Sequence, residues 1–76
     1  MNIKLRILND LQTGIIPSYN RYIIQKSYFT DLLDELKESN YLVYGTIHDK
    51  NSPFFGEPTE IHLTEEGQKY INSKNI

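Results

Sequence analysis

The sequence contains no cysteine and no tryptophan, and it has only three prolines and four glycines. Without cysteine, a disulfide framework and a thiolate metal site are both excluded. Apolar packing therefore has to hold the fold together, and the lack of cysteine suits the reducing cytoplasm, where we expect the protein. A chain of 76 residues has room for one small domain, which we predict to span residues 1–76.

Long hydrophobic runs are also missing. Tyrosine aside, no apolar run exceeds two residues, as at residues 15–16 and 54–55. A membrane-spanning helix needs about 20 apolar residues, and a secretory signal needs an apolar stretch of about 7–15. We therefore expect no membrane partner.

Positive charge is scarce, because eight lysines and arginines stand against ten acidic residues and the net charge is −2. Residues 1–24 carry a local charge of +2, whereas residues 25–40 and 41–76 carry −2 each. Nucleic-acid-binding proteins gain affinity by neutralising phosphates, so this balance has the wrong sign for strong binding. Asn, Ile, Lys and Tyr are abundant and have A/T-rich codons, which indicates a bacterial or phage source.

The first part of the chain predicts a helix over residues 2–13, although residues 3–7 also alternate as a strand would. Gly14 follows as a suitable left-handed cap. The helical stripe consists of Ile7, Leu8 and Leu11, with Ile3 one turn earlier.

A short second helix is predicted from Tyr19 to Ile23. Pro17 disfavours helix at the residue before it, and Ser18 is a favoured N-cap. We expect Tyr22 and Ile23 to point inward.

Residues 26–39 give the clearest helical pattern, since four apolar residues recur at the spacing of one helical face and Asn40 is a suitable cap. The predicted inner face is Phe29, Leu32, Leu33 and Leu36, and the opposite face is Ser27, Thr30, Asp31, Asp34 and Glu38.

The last part of the chain predicts a β-hairpin and a final helix. Residues 41–48 are β-branched and aromatic, residues 49–59 hold two prolines and a glycine, and residues 60–63 alternate with Ile61 and Leu63 inward. Thr64 then caps a helix that runs to about residue 73 and contacts the core through Tyr70 and Ile71. Gly67 within this helix indicates either a close approach to another element or a bend.

This order of elements predicts an α+β fold, a winged helix-turn-helix with a three-helix core, a two-stranded β-hairpin wing and a C-terminal helix. Residues 63–67, LTEEG, with Tyr70 after them, resemble the junction between wing and last helix in bacterial regulators of the MarR and PadR type. Most of residues 4–71 resembles the small YjcQ-like winged-helix family of Firmicutes and their phages. That resemblance implies a DNA-binding regulator.

On this reading, the third helix enters the major groove, and we expect the protein to act as a dimer on double-stranded DNA. The dimer surface is not identifiable from the sequence, and the terminal residues Ile3, Leu5 and Ile76 are candidates for it. The candidate DNA-binding residues are Arg21, Lys26, Ser27, Tyr28, Thr30, Lys50 and Asn51.

The acidic third helix supports a second hypothesis, a protein-interaction module that binds a host or defence protein as an adaptor or inhibitor. Phe54 and Phe55 lie in a loop where no periodicity draws them inward, so they either fold back or form an exposed tip. We expect most of the six tyrosines to be half-buried at the core edge. The candidate protein-binding residues are Asp31, Asp34, Glu38, Phe54 and Phe55.

No motif for enzymatic chemistry is present. The sequence lacks a glycine-rich phosphate loop and a nucleophile elbow. His48 and His62 have no metal-ligand spacing, and we predict no metal, no cofactor and solvated histidines. We also expect a chain this short to enclose little of a pocket, so we predict that the protein is not an enzyme.

Overall fold

The computed structural model describes residues 2–74. They form four helices and one antiparallel two-stranded hairpin, which confirms the predicted α+β class. The elements are α1 (Ile3–Gln12), α2 (Tyr19–Tyr22), α3 (Lys26–Glu38), β1 (Leu42–Thr46), β2 (Pro58–Leu63) and α4 (Glu65–Lys74).

Helix α1 forms where the apolar stripe predicts it, and the alternative of a strand is wrong. The Asn2 side chain accepts a hydrogen bond from the Lys4 backbone N–H at 2.8 Å and so caps the helix start. Gly14 follows the helix with a φ of +82°, the left-handed conformation that the sequence predicts.

Helix α2 is capped as predicted, because Ser18 Oγ accepts from the Arg21 backbone N–H at 3.3 Å. Tyr22 is buried, but the prediction that Ile23 points inward is wrong. The helix has only four residues, and Ile23 ends it in the left-handed conformation with φ 57° and a side chain that is 91% exposed. Ile24 packs against the core instead.

Helix α3 has the predicted faces. Its whole predicted inner face is buried, and Asn40 adopts a φ of +64°, as expected for a cap. On the opposite side Thr30 is half-buried and the rest is exposed, namely Ser27, Asp31, Asp34 and Glu38.

The predicted hairpin is confirmed with different ends. Strand β1 stops at Thr46, which leaves His48 outside it, and β2 begins at Pro58 rather than at residue 60. Leu42 pairs with Leu63 and Gly45 with Thr59, and the register is irregular between them. Glu60 lies in that irregularity with a φ of +53°, the conformation of a β-bulge, which the alternation of residues cannot reveal.

Helix α4 begins at the Thr64 cap, whose Oγ1 accepts from the Gly67 N–H at 3.0 Å and donates to the Asn40 carbonyl at 2.5 Å. Ile71 is buried, and the Tyr70 ring stacks on Tyr41 with centroids 4.4 Å apart.

One core joins all these elements, and Ile61 and Leu63 of β2 pack against it as predicted. Of the candidates for a dimer surface, Ile3 packs against this core, Leu5 is half-buried and Ile76 lies outside the described residues. Within residues 2–74, no helix combines the length and the apolar character needed to cross a membrane. The buried residues of this hydrophobic core are Ile7, Leu8, Tyr22, Phe29, Leu32, Leu33, Leu36, Leu42 and Ile71.

Candidate interaction surfaces of α3 and the hairpin loop

The outermost stripe of α3 contains no cation. It consists of Ser27, Asp31, Asp34 and Glu38, which are all exposed. The only basic side chains of this helix are Lys26 and Lys37, and both lie on its flank toward the hairpin. The Lys37 ammonium lies 5.1 Å from the centre of the Tyr44 ring in β1. The stripe that faces solvent is therefore acidic.

Lys26 is held against the base of the hairpin loop. Its Nζ lies 3.4 Å from Glu57 Oε1 and 5.2 Å from the centre of the Tyr19 ring. The negative charge of Glu57 raises the pKa of Lys26, and Tyr19 adds to this effect. This pair compensates part of the positive charge that Lys26 would offer to DNA.

Arg21 is paired within the domain as well. Its Nε and one terminal nitrogen donate to the two Asp10 carboxylate oxygens at 2.7 and 3.2 Å. The hydrogen bond from Arg21 holds the pKa of Asp10 below its ordinary value, against a desolvation that raises it. Tyr22 also donates to Asp10, at 2.7 Å, and burial together with this bond raises the Tyr22 pKa.

The uncharged candidate DNA contacts of α3 remain near its start. Ser27 and Tyr28 are exposed there, whereas Thr30 is half-buried and its hydroxyl donates to the Lys26 carbonyl at 3.0 Å. Lys50 and Asn51 are exposed in the hairpin loop, where the Asn51 backbone N–H donates to Asp49 at 3.0 Å. The structure thus places the candidates on α2, at the start of α3 and in the loop, and two of their exposed cations, Arg21 and Lys26, are paired with carboxylates.

Two of the acidic side chains of α3 are engaged with neighbouring elements. Tyr44 donates a hydrogen bond to Asp34, and burial together with this bond raises the pKa of Tyr44 to about 12. Glu35 pairs with Lys4 of α1 at 3.0 Å. Among the described residues, Asp31, Asp34 and Glu38 make no ion pair, so all three carry uncompensated charge on this face, and Asp31 and Glu38 do so without a hydrogen bond to a neighbouring element.

The hairpin loop presents two phenylalanines to solvent. Phe54 is 57% exposed and Phe55 is 53% exposed, which settles the alternatives in favour of an exposed tip. Two backbone hydrogen bonds close the base of the loop. The Gly56 N–H donates to the Ile47 carbonyl at 2.8 Å, and the Ile47 N–H donates to the Glu57 backbone carbonyl at 3.0 Å. Adjacent exposed aromatics of this kind are typical of protein contacts.

The remaining predictions concern tyrosines and histidines. Tyr28 is exposed, whereas the other five tyrosines are half-buried or buried, as expected. His48 and His62 are both exposed, and within residues 2–74 no group of three His, Asp or Glu side chains comes together as a metal site would require.

One candidate site, a cleft, could not be predicted from the sequence. A cleft of about 400 Å³ lies between the starts of α2 and α3 and strand β2, although we expected so short a chain to form little of a pocket. Its walls come from residues 16–19, from Lys26, Phe29 and Thr30, and from residues 57–62, which lie far along the chain from the other two segments. No local pattern brings these three segments together, so only the folded structure reveals the cleft.

Comparisons of the chain with protein-family models, with curated proteins and with solved structures give no match. The surfaces described above are therefore the basis for a functional proposal.

Proposed function

We infer that this chain is a winged-helix domain that binds a protein through the outward stripe of α3 and the Phe54–Phe55 tip of the hairpin. The element order and the LTEEG junction support the winged helix as a fold. The observation that carries the choice of partner is the outward stripe of α3, which has acidic residues and no cation.

Charge disfavours DNA as the main partner of this stripe. Phosphate contacts by Lys and Arg supply most of the affinity of DNA-binding proteins, and carboxylates on the contact face oppose them. Arg21 and Lys26 are two of the three cations among the candidate DNA-binding residues, and each is paired with a carboxylate of its own domain. These pairs lower the positive charge that the two side chains offer to a phosphate.

The same features fit a protein surface with a basic patch beside an apolar pocket. Asp31 and Glu38 offer uncompensated negative charge, which steers a cationic partner and selects its orientation. Phe54 and Phe55 offer exposed aromatic area, the type of side chain that dominates binding energy when a partner buries it. The Lys26–Glu57 ion pair places the base of this loop beside the start of α3.

The test compares three variants with the native chain. D31K/E38K reverses the stripe and avoids Asp34, whose carboxylate accepts from Tyr44. F54A/F55A removes the aromatic tip, and E65K/E66K is the control with the same change in net charge on α4. A protein captured from a bacterial lysate by the native chain should be retained by the control and lost with the other two. Retention by all three would refute the proposed surface.

DNA binding is the second candidate, and the exposure of Ser27, Tyr28, Lys50 and Asn51 favours it. Fluorescence anisotropy with a duplex of mixed sequence at about 50 mM salt, where phosphate contacts are strongest, distinguishes the two. We expect no saturable binding by the native chain and a gain with D31K/E38K. Saturable binding by the native chain that Lys50→Ala weakens would favour the DNA-binding regulator instead.

A further inference from the structure

The cleft beside β2 has the size and lining of a small-molecule site. Its volume of about 400 Å³ falls within the range of ligand pockets, about 300–1,000 Å³. Phe29 and Pro17 form buried parts of its wall, and the half-buried Ile61 faces it from β2. An organic group placed there would therefore contact apolar side chains on several sides.

The cleft follows the free edge of β2. Residues 57–62 are consecutive and all of them line it, although successive residues of a strand point to opposite faces of a sheet. A cleft that touches all of these residues has to run along an edge of the strand and not across one face. One edge of β2 pairs with β1, and β1 contributes no residue to the cleft, so the cleft lies along the other, free edge. The bulge at Glu60 and the missing N–H of Pro58 disfavour a further strand at this edge, so a compact ligand suits it better than a peptide.

The polar end of the cleft has a spare acceptor. Glu57 Oε1 lies 3.4 Å from the Lys26 ammonium, whereas Glu57 Oε2 is buried and has no hydrogen-bond partner among the described residues. A buried carboxylate oxygen without a donor costs free energy, which a donor from a ligand would recover. Glu57 lines the cleft and its terminal torsion is soft, so we expect the carboxylate to turn toward a ligand that donates to it.

The charges around the cleft favour a cation. Glu57 and Glu60 face it together with the single ammonium of Lys26. That ammonium already interacts with Glu57 and with the Tyr19 ring, so part of its charge is compensated within the domain. An added positive charge instead meets one exposed carboxylate and one unsatisfied carboxylate oxygen.

We propose that this cleft binds a small organic cation, an ammonium carried on an aromatic or aliphatic body. The ammonium donates to the Glu57 carboxylate, and the body packs against Phe29, Pro17 and Ile61. The site goes beyond the proposed protein-binding function, because it lies on the flank of α3 toward β2 and not on the outward stripe.

The experiment uses three probes of similar shape and different charge: 2-phenylethylammonium, 2-phenylethanol and phenylacetate. Each is titrated into the ¹⁵N-labelled chain and followed by amide chemical shifts. The cation should give saturable shifts at cleft residues such as Thr30, Thr59 and Ile61, with a Kd on the order of 1 mM for so small a probe. The alcohol should bind at least five-fold more weakly, and phenylacetate should not saturate. Equal binding of cation and anion, or shifts spread over the whole domain, would overturn the proposal.

Two variants should move the affinity in opposite directions. Glu57→Gln should weaken the cation at least five-fold and abolish its advantage over the alcohol. Lys26→Gln should strengthen the cation several-fold, because it removes both the competitor for Glu57 and a repelling charge. Lys69→Gln on α4 is the control, because Lys69 pairs with Glu65 and Glu66 and none of the three lines the cleft. Weaker binding of the cation in both cleft variants would indicate that the Lys26–Glu57 pair only holds the cleft together, and it would contradict the proposal. This outcome does not depend on the test of the protein-binding surface.

Discussion

Gly67 of α4 lies directly against the Tyr41 backbone. A Cβ atom at this position would overlap the Tyr41 carbonyl oxygen and stand 2.8 Å from Leu63 Cδ1. The missing side chain therefore lets the last helix close on the start of the hairpin, where Thr64 and Tyr41 share a backbone hydrogen bond of 3.1 Å. Of the two structural explanations open for this glycine, the close approach is the one confirmed.

Gly67→Ala should destabilise the domain, even though alanine is the better helix former. The overlap involves backbone atoms, which cannot move aside as a flexible side chain can, so we expect a net loss of about 2 kcal/mol in the free energy of unfolding. Urea denaturation followed by circular dichroism measures it. Gly45→Ala is the matched control, because its Cβ would lie 4.0 Å from the Thr59 carbonyl oxygen, and it should change stability by less than about 0.5 kcal/mol. An equal effect of both substitutions would contradict this explanation.

Ile23→Gly should stabilise the domain. Ile23 is β-branched, it adopts the left-handed conformation with φ 57° and its side chain is 91% exposed, so it is strained without any compensating burial. Glycine relieves the strain, and because its greater freedom in the unfolded chain offsets part of this, we expect a net gain of about 0.5–1 kcal/mol in thermal or urea unfolding. The matched control is Ile16→Gly at another exposed isoleucine, 83% accessible and without a positive φ, which should be neutral or slightly destabilising. A loss of stability with Ile23→Gly would show that its side chain has a role that the strain argument omits.

The contacts of Asp10 with Arg21 and Tyr22 should make the stability of the domain depend on pH in the acidic range. Because Arg21 holds the Asp10 pKa below its ordinary value of 3.8, the folded chain keeps this carboxylate ionised more strongly than the unfolded chain does. The resulting stabilisation is present above pH 3.8 and is lost as the pH falls through the lowered pKa of the folded state. The melting temperature should therefore fall on acidification from about pH 5 to about pH 2.5.

Asp10→Asn should flatten this acid dependence and lower stability at neutral pH by about 1 kcal/mol, because Tyr22 then donates to a neutral acceptor. Asp31→Asn, at an exposed acid outside these contacts, is the control and should keep the native slope. An unchanged slope in Asp10→Asn would show that another group governs acid unfolding.

The helices and the hairpin were predictable because the signals for them are local. The spacing of Phe29, Leu32, Leu33 and Leu36 defines one face of a helix whatever lies beyond it, and that face is buried. Ser18 and Thr64 were predictable as caps for the same reason, since each bonds to a backbone N–H three residues away. Ile23 shows the limit, because its apolar character says nothing about a helix that ends one residue earlier.

The sequence predicts which residues lie on the candidate interaction surfaces, but it does not predict which of their charges are paired within the domain. The sequence shows acids along α3 and two adjacent phenylalanines in a loop, and both are exposed as the pattern allows. It does not show that Arg21 meets Asp10, eleven positions earlier, or that Lys26 meets Glu57 across the domain. These pairs partly compensate two of the cations on which a DNA-binding interface was predicted, although both side chains stay exposed.

The sequence by itself determined where the helices and strands form and which of their faces turn inward, because those properties depend on neighbours within a few residues. Only the tertiary structure decided which cations are paired, how closely α4 approaches the hairpin at Gly67, and that a cleft opens beside β2. The physical reason is that charge pairing, steric fit and cavities depend on distance through space, and folding brings together residues that the chain keeps far apart.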